Sequence, residues 1–331
     1  MKTRFTEAFG VKHPIVCAPM ALVTGGRLAA AVSSAGGLGI VGGGYAGTVG
    51  GEPDLRQELA LVGGHTFGVG FITWALMRAP AMLDEALAHA PRCVFLSFDD
   101  PAPFAERIRA SGAALICQVQ SLRHVEMAVH AGATVVVAQG TEAGGHGATR
   151  STMPFVPEVG DFLAKHAPET LLLAAGGIAD GRGLAAALML GADGVVVGSR
   201  FWSSAEALTP SVATDRAMAA TGDDTVRTKA IDSLRGVPWP AEFSFRMLKN
   251  KLTDEWAGRE QDAAAAFGSL RQMYQEARAR HDLDVVATVV GESVGLMHDR
   301  PTARAIVDAM VAQAEMLLTR GATLDFVAGR S

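Results

Sequence analysis

The sequence is short of several features that mark other classes of protein. Aromatic residues make up only 6% of the 331 residues, which suits helices packed on a parallel sheet better than an aromatic-rich sandwich. The three cysteines lie in apolar runs and form no CxxC pair, so we expect buried, reduced thiols in a cytoplasmic protein. Residues 1–7 lack the apolar core of a signal peptide, and no run of 18 apolar residues predicts a membrane span.

Charge and standard motifs exclude further classes. The net charge is −5 and no basic stripe is present, which argues against nucleic acid as a partner. The GxGxxG match at Gly37–Gly42 follows a helix and contains a strand, whereas a dinucleotide fingerprint follows a strand and opens a helix. The phosphate-binding motif GxxxxGK[ST] does not occur. Glu142 and His146 are four residues apart, but the glycines between them disfavour a helix, so we expect no metal site.

What the chain does have is a regular alternation of short apolar strands and helix-length segments. The predicted strands are 14–20, 38–43, 67–72, 93–98, 114–119, 134–140, 171–177 and 194–199. The predicted helices between them are 25–36, 53–63, 79–90, 101–111, 121–131, 155–167 and 181–191. Eight such units predict an α/β fold, a closed (β/α)8 TIM barrel, with a doubly wound open sheet as the alternative.

The last third of the chain follows a different pattern. Residues 242–280 and 300–320 have the amphipathic character of helices. We therefore expect residues 1–205 and part of the C-terminal end to form the barrel, about 206–300 to form a mostly helical cap or substrate domain, and 300–331 to be a C-terminal helix packing on the barrel. The sequence does not fix the oligomeric state, and a homodimer is compatible with it.

The most informative segment is the sixth strand and the turn that follows it. Val135–Ala138 is a buried apolar run that ends at Gln139, and the glycine-rich turn after it carries His146. Glycines let the backbone bend sharply and approach a ligand closely. A histidine at the mouth of a buried strand can exchange a proton with that ligand. His146 is therefore the candidate catalytic residue.

Other strand ends supply candidate binding residues. Loops after strands seven and eight of a barrel often bind phosphate, and the glycines there can offer backbone N–H groups, although tight turns alone would explain them. Three further strand ends carry candidates: small residues at the first leave room for a planar ring, and glutamine amides at the fifth and sixth can hydrogen-bond it. Turn packing or loop contacts would explain these residues as well. These candidates are Gly176, Gly177, Gly198 and Ser199 for phosphate, Ala18, Pro19 and Met20 beside a ring, and Gln118 and Gln139 as polar contacts.

These motifs together resemble those of the nitronate monooxygenases, formerly called 2-nitropropane dioxygenases. The similarity runs from about residue 10 to residue 202 and resumes at a glycine-containing turn. Its segments are Ala18-Pro19-Met20, Ala35-Gly36-Gly37-Leu38-Gly39, Gln139 to His146, Gly176 to Gly181, Gly198-Ser199-Arg200-Phe201 and Gly291 to Met297. FMN-dependent enoyl-acyl-carrier-protein reductases and NADH:quinone reductases share most of this set.

The resemblance implies an FMN-binding (β/α)8 barrel with a helical second region. It implies that His146 is the catalytic histidine, acting as acid or base and pairing with substrate. The positions that match the cofactor site are Ala18, Pro19, Met20, Gln118, Gln139, Gly144, Gly145, Gly176, Gly177, Gly198 and Ser199. The implied reaction is oxidative denitrification, in which an alkyl nitronate or nitroalkane and O2 give a carbonyl compound and nitrite.

Three other functions remain open from the sequence. An FMN-dependent NAD(P)H reductase acting on an enoyl thioester or quinone would use the same barrel, so the sequence separates it poorly from the monooxygenase. A phosphate-binding isomerase or lyase without flavin would purify colourless. A pure binding or structural protein is disfavoured, since His146 would then have no purpose at the mouth of a ligand pocket.

Overall fold

The computed structural model describes residues 1–48 and 51–322, and its strands form two separate sheets. The strands of the large sheet are β1 (Ile15–Cys17), β2 (Gly39–Gly44), β3 (Phe67–Ile72), β4 (Cys93–Ser97), β5 (Ala114–Val119), β6 (Val135–Gln139), β8 (Leu171–Ala175) and β9 (Gly194–Val197). The small sheet consists of β7 (Gly145–Gly147), β10 (Thr225–Thr228) and β11 (Ser244–Leu248).

The large sheet is parallel and curls back on itself. Its hydrogen-bonded order is β1-β9-β8-β6-β5-β4-β3-β2, so the first two strands form its two ends. A parallel bridge between Val16 and Leu38 joins these ends, with the Cys17 N–H donating to the Leu38 carbonyl at 2.9 Å. The predicted TIM barrel is therefore confirmed, and the open doubly wound sheet is not formed.

Helices alternate with the barrel strands and continue beyond them. Those of the barrel region are α1 (Arg4–Phe9), α2 (Gly26–Ser34), α3 (Leu55–Ala60), α4 (Thr73–Leu76), α5 (Ala81–Leu87), α6 (Ala102–Ala110), α7 (Leu122–His130), α8 (Thr152–His166), α9 (Gly181–Met189) and α10 (Ser199–Trp202). Downstream lie α11 (Ser211–Met218), α12 (Ala230–Arg235), α13 (Lys251–Trp256), α14 (Glu260–Ala265), α15 (Phe267–Ala279) and α16 (Ala303–Ala322). Local chemistry sets several of their ends: the Ser121 side chain caps α7, and the Asp180 side chain caps α9.

The barrel strands are buried on both faces, as expected of parallel strands covered by helices. Along β6, Val135 and Val137 belong to the cluster inside the barrel, whereas Val136 and Ala138 belong to the layer between strands and helices. This alternation follows from the two-residue period of a strand. Phe5 and Phe9 of α1 pack into the inner cluster with ring centroids 4.6 Å apart.

The small sheet corrects the prediction that residues 242–280 are helical throughout. Residues 244–248 form β11, which pairs antiparallel with both β10 and β7, so that Phe245 lies opposite His146. A short apolar run does not distinguish a strand from a helix by its periodicity. Here the pairing with β7 and β10 makes it a strand. β11 then packs on the downstream helices through Phe245 and Met247, in a cluster with Ile231 and Leu234.

Helix α16 returns to the barrel and packs against α9 and α2. The Gly181 N–H donates to Oε1 of Gln313 at 2.8 Å. A Cβ on Gly181 would lie 2.5 Å from the Met310 carbonyl oxygen, so the two helices are in backbone contact. Residues 323–331 of the predicted C-terminal segment lie outside the described residues. Within the described part of the chain, every helix is too short or too polar to cross a bilayer.

Candidate active site

A cavity of about 650 Å³ opens at the carboxyl ends of the barrel strands, where barrel ligands bind. Its volume falls within the range of small-molecule pockets. The structure brings all of the residues singled out by sequence to its wall: Ala18, Pro19, Met20, Gln118, Gln139, Gly144, Gly145, His146, Gly176, Gly177, Gly198 and Ser199. Segments far apart in the chain thus meet because parallel strands all end on the same side of the barrel.

His146 lies in β7 and is held on several sides. Its Nε2 is 2.9 Å from Oδ2 of Asp232, and both side chains are buried. The indole of Trp239 stacks on the imidazole, with ring centroids 3.3 Å apart and an interplanar angle of 10°. The Phe245 ring lies 4.6 Å from the imidazole by centroid. The ring therefore has one position and one orientation in this wall.

The electrostatic setting of His146 favours its neutral form. Burial lowers the pKa of His146, while the neighbouring Asp232 carboxylate opposes this effect. Arg235 and Arg227 add positive charge and lower the pKa of His146 further. A neutral imidazole has one nitrogen with a free lone pair, so His146 can accept a proton at neutral pH.

Two arginines of the small sheet hold the turn that carries His146. The Arg227 guanidinium donates to the carbonyl oxygens of Thr141 and Ala143, both at 2.9 Å, and to that of Gly147 at 3.2 Å. Burial lowers the pKa of Arg227 to about 10, so the group is still charged at neutral pH. Arg246 donates from Nε to the Thr141 carbonyl at 3.0 Å. The turn is thus fixed through its backbone, independently of its side chains.

The two candidate glutamines lie beside this turn. Nε2 of Gln139 donates to the His146 carbonyl at 3.2 Å, and Oε1 of Gln139 accepts from Gln120 at 2.9 Å. Gln139 therefore helps to position the turn that carries His146. Gln118 lies within β5 and lines the cavity.

Gly144 and Gly145 of the turn are each required to be glycine for a different structural reason. A Cβ on Gly144 would lie 2.5 Å from the carbonyl carbon of Val290, so the small residue permits backbone contact with the neighbouring loop. Gly145 has φ +73°, a conformation that favours glycine.

The turns after β8 and β9 leave open space at one end of the cavity. Gly176 and Gly177 have φ of +102° and +73°, and both line the cavity. A Cβ on Gly198 would meet nothing closer than the Ala18 Cβ at 3.7 Å, so the protein leaves that space open. The Ser199 hydroxyl oxygen accepts from the Gly291 N–H at 2.9 Å. This glycine-lined end fits the phosphate of a nucleotide cofactor held by backbone N–H groups.

Glu142 has a structural partner in this region. Its carboxylate accepts from the backbone N–H of Thr152 at 3.0 Å and from the Thr152 hydroxyl at 2.8 Å. That hydroxyl also lies 3.1 Å from the Gly176 carbonyl, which links the turn that carries His146 to the glycines after β8. In the described ranges, no three histidine, cysteine or acidic side chains are grouped so as to hold a metal ion.

Sequence reasoning missed the residues that surround His146 from the downstream segment. The indole N–H of Trp239 donates to the Tyr45 hydroxyl at 3.2 Å, and Arg235 lines the cavity beside them. One local signal was available, since Trp239 stands between Pro238 and Pro240 and prolines stiffen a loop. Asp232 carries no comparable signal in the sequence.

Backbone strain also concentrates at the cavity. Leu22 and Phe98 are not glycines, yet they have φ of +67° and +70°, and both line the cavity. Residues in this conformation cost about 1–3 kcal/mol each and cluster at functional sites. The strain fits a surface shaped for a ligand.

Comparisons with known proteins agree with this arrangement. The family model described as nitronate monooxygenase matches residues 2–71 and 72–313. A nitronate monooxygenase of Metarhizium robertsii is 37% identical, with 93% of each chain covered. A methyl-oxo-octahydro-indene-carboxyl-CoA dehydrogenase of Rhodococcus jostii is 28% identical, with 95% of this chain and 96% of the relative covered. The solved structure of FabK from Thermotoga maritima matches with a TM-score of 0.83 and 27% identity, covering 98% of this chain and 99% of that one.

The family match spans both halves of the barrel, the turn that carries His146 and most of the downstream segment. Of the six motif segments that resemble the family in sequence, five contribute residues to the cavity wall, and Ala35-Gly36-Gly37-Leu38-Gly39 does not. The chain is therefore an oxidoreductase-type enzyme, and it belongs to the nitronate monooxygenase family.

Proposed function

We propose that this protein uses FMN and O2 to oxidise alkyl nitronates to carbonyl compounds and nitrite. The overall balance is two nitronate ions and one O2 to two carbonyl compounds and two nitrite ions. The observation that carries the proposal is the position of His146, a buried imidazole favoured in its neutral form, in the wall of a cavity with a glycine-lined end. The family membership supports the choice of reaction.

The cavity has residues suited to each part of FMN. Gly176, Gly177, Gly198 and Ser199 would hold its phosphate at the open, glycine-lined end. Ala18 to Met20 would lie along the flavin ring, and Gln118 and Gln139 would offer amides to the flavin or the ribityl chain. When bound, FMN supplies the electron-accepting chemistry, while the protein supplies position and electrostatics.

His146 would act on the substrate in one of two ways. As a neutral base it would take the α-proton of a nitroalkane, and once protonated it would pair with the nitronate anion. The apolar walls around it, including Trp239 and Phe245, exclude water and strengthen that pairing.

Residues 206–300 would serve as the substrate-binding cap in this proposal. Arg235, Trp239, Phe245 and His281 come from this segment and line the cavity together with barrel residues. A cap of this kind would close the side of the cavity that the barrel strands leave open.

A second candidate is an FMN-dependent NAD(P)H reductase acting on an enoyl thioester or a quinone. The likeness to FabK and to a dehydrogenase of a CoA thioester favours it. Arg235, Arg278 and His281 line the cavity and would suit a substrate or nucleotide with anionic groups. Both candidate functions would use the same FMN site. They differ in the compound that reduces the flavin, which is the nitronate in the first and NAD(P)H in the second.

The test is stopped-flow flavin absorbance of the purified holoenzyme without oxygen. The protein is mixed with propyl-2-nitronate in one series and with NADH or NADPH in the other. Rapid flavin reduction by the nitronate, with none by the pyridine nucleotides, is the expected result. Rapid reduction by NADH or NADPH without a response to nitronate would overturn the proposal in favour of the reductase, and a colourless protein that does not bind added FMN would overturn both.

A further inference from the structure

We propose that Asp232 is a positioning residue for His146, fixing the imidazole with its proton on Nε2 so that Nδ1 is the nitrogen that exchanges protons with substrate. The proposal rests on the proposed function, in which His146 acts on the substrate. It assigns a role to a residue 86 positions away in the chain, on a different element and outside every sequence motif.

The contact between the two side chains is short and shielded from water. Nε2 of His146 lies 2.9 Å from Oδ2 of Asp232. The side chains are only 6% and 7% exposed, so water cannot compete for either partner. A hydrogen bond to a charged group in such surroundings is stronger than one in water.

The chemistry of the pair determines the tautomer. An ionised carboxylate only accepts hydrogen bonds, so the nitrogen facing Asp232 must carry the proton. In a neutral imidazole the other nitrogen, Nδ1, then holds the free lone pair. Trp239 stacks on the ring at 3.3 Å and Phe245 packs beside it, which opposes a rotation of the ring that would exchange the two nitrogens.

The charges that face the pair come from two elements. On α12, Nη1 of Arg235 lies 3.9 Å from Oδ1 of Asp232, and on β10 the Arg227 guanidinium adds positive charge nearby. Asp232 raises the pKa of His146, whereas burial, Arg235 and Arg227 lower it. Removing the negative charge of Asp232 therefore lowers the pKa of His146, and the low-pH limb of a reaction that needs the neutral base moves to lower pH.

Asp232→Ala and Asp232→Asn test the proposal with two readouts. The first is the ¹⁵N NMR spectrum of the histidine rings in the holoenzyme, with His146→Gln identifying the His146 signals. The second is turnover of a neutral nitroalkane, which needs a base, compared with turnover of the preformed nitronate, which does not. Asp161→Asn, an exposed position on α8, is the matched control for the same chemical change.

We expect the wild-type spectrum to place the proton of His146 on Nε2, and Asp232→Ala to abolish that preference. The same variant is expected to lower nitroalkane turnover by about 10²-fold, as misplacement of a catalytic group by about 1 Å can do, with a smaller effect on the nitronate. Asp232→Asn keeps the shape and an acceptor but removes the charge. It should fold even if the alanine variant does not, and should move the acid limb of kcat/KM to lower pH.

A wild-type His146 with its proton on Nδ1, or a tautomer unchanged in Asp232→Ala, would overturn the positioning role. An acid limb that does not move in Asp232→Asn would contradict the electrostatic part. These failures differ from failure of the proposed function. If the flavin ignores nitronates while the spectra report the Nε2 tautomer and its loss in Asp232→Ala, the reaction is wrongly assigned and the positioning of His146 stands.

Discussion

At the scale of single residues, the arrangement around His146 places a neutral base where water is scarce. Burial lowers the pKa of His146 below its ordinary value of 6.5, so the imidazole is largely unprotonated at neutral pH. The stacked indole of Trp239 and the carboxylate of Asp232 hold it in place. Under the proposed function, a base that is fixed before the substrate arrives needs no reordering during the reaction.

His146→Ala removes this base without disturbing the glycine-lined end of the cavity. We expect the variant to retain FMN and to lose roughly 10²–10⁴-fold of nitroalkane turnover, the usual contribution of one acid-base group. Flavin absorbance of the purified variant measures how much FMN it binds, and nitrite release measures turnover. His65→Ala is the control, because His65 is exposed and precedes β3, at the opposite end of the barrel. Turnover near the wild-type value in His146→Ala would refute the role of His146.

The residues around His146 divide into those that sequence predicts and those that it does not. His146 follows a buried strand within a glycine-rich turn, and this local pattern predicts it as the candidate catalytic residue. Asp232 and Trp239 meet His146 only because α12 and the loop after it fold over the barrel. A contact between residues 86 positions apart produces no local sequence pattern, so the sequence alone does not predict Asp232.

At the scale of elements, the turn that carries His146 depends on a strand from another part of the chain. Arg227 of β10 donates hydrogen bonds to the carbonyls of Thr141, Ala143, Gly147 and Ser244. A glycine-rich turn is costly to order because glycine loses much conformational freedom on folding. The arginine offsets this cost by bonding the backbone itself, which explains how a turn with so few side chains can hold His146 in register.

Arg227→Met keeps the length of the side chain but removes its donors. The carbonyl oxygens of Ala143 and Gly147, which lose the Arg227 donor, are partly buried, so we expect a loss of about 1–3 kcal/mol in the free energy of unfolding. Urea unfolding measures that loss, and hydrogen exchange of the amides at 141–147 should become faster. Arg304→Met is the control, because Arg304 also donates to a backbone carbonyl, that of Ser34, but on the surface. Unchanged exchange in the turn would contradict the role of Arg227.

At the scale of the whole molecule, the barrel is predictable from sequence because each βα unit carries its own signal. Buried strands read as apolar runs and the intervening helices as amphipathic segments, and eight units in series point to one closed fold. The small sheet is different, since β7 and β11 are short and are stabilised by pairing with each other. Their strand character depends on partner strands rather than on their own periodicity: β7 pairs with β11 about 100 residues away, and β11 also pairs with β10 about 20 residues away. The sequence pattern alone therefore predicts helix over residues 244–248.

The contact between α9 and the C-terminal helix α16 joins the barrel to the downstream part of the chain, and the stability of the fold is expected to depend on it. Gly181 opens α9, and a Cβ there would lie 2.5 Å from the Met310 carbonyl oxygen and 2.6 Å from the Ala314 nitrogen. These are backbone atoms of α16, which cannot turn aside as a flexible side chain can. Gly181→Ala must therefore shift α16 away from the barrel or strain both helices.

We expect Gly181→Ala to lower the free energy of unfolding by about 1–3 kcal/mol, the usual cost of overpacking a close contact. Gly160→Ala makes the same change inside α8, where the added Cβ meets only the Leu172 side chain at 3.6 Å, an ordinary contact. Because alanine is the better helix former by about 1 kcal/mol, that variant should be as stable as the wild type or more so. Urea unfolding of both variants compares the two effects directly. If Gly181→Ala were no less stable than Gly160→Ala, the close contact between α9 and α16 would not hold the C-terminal helix to the barrel.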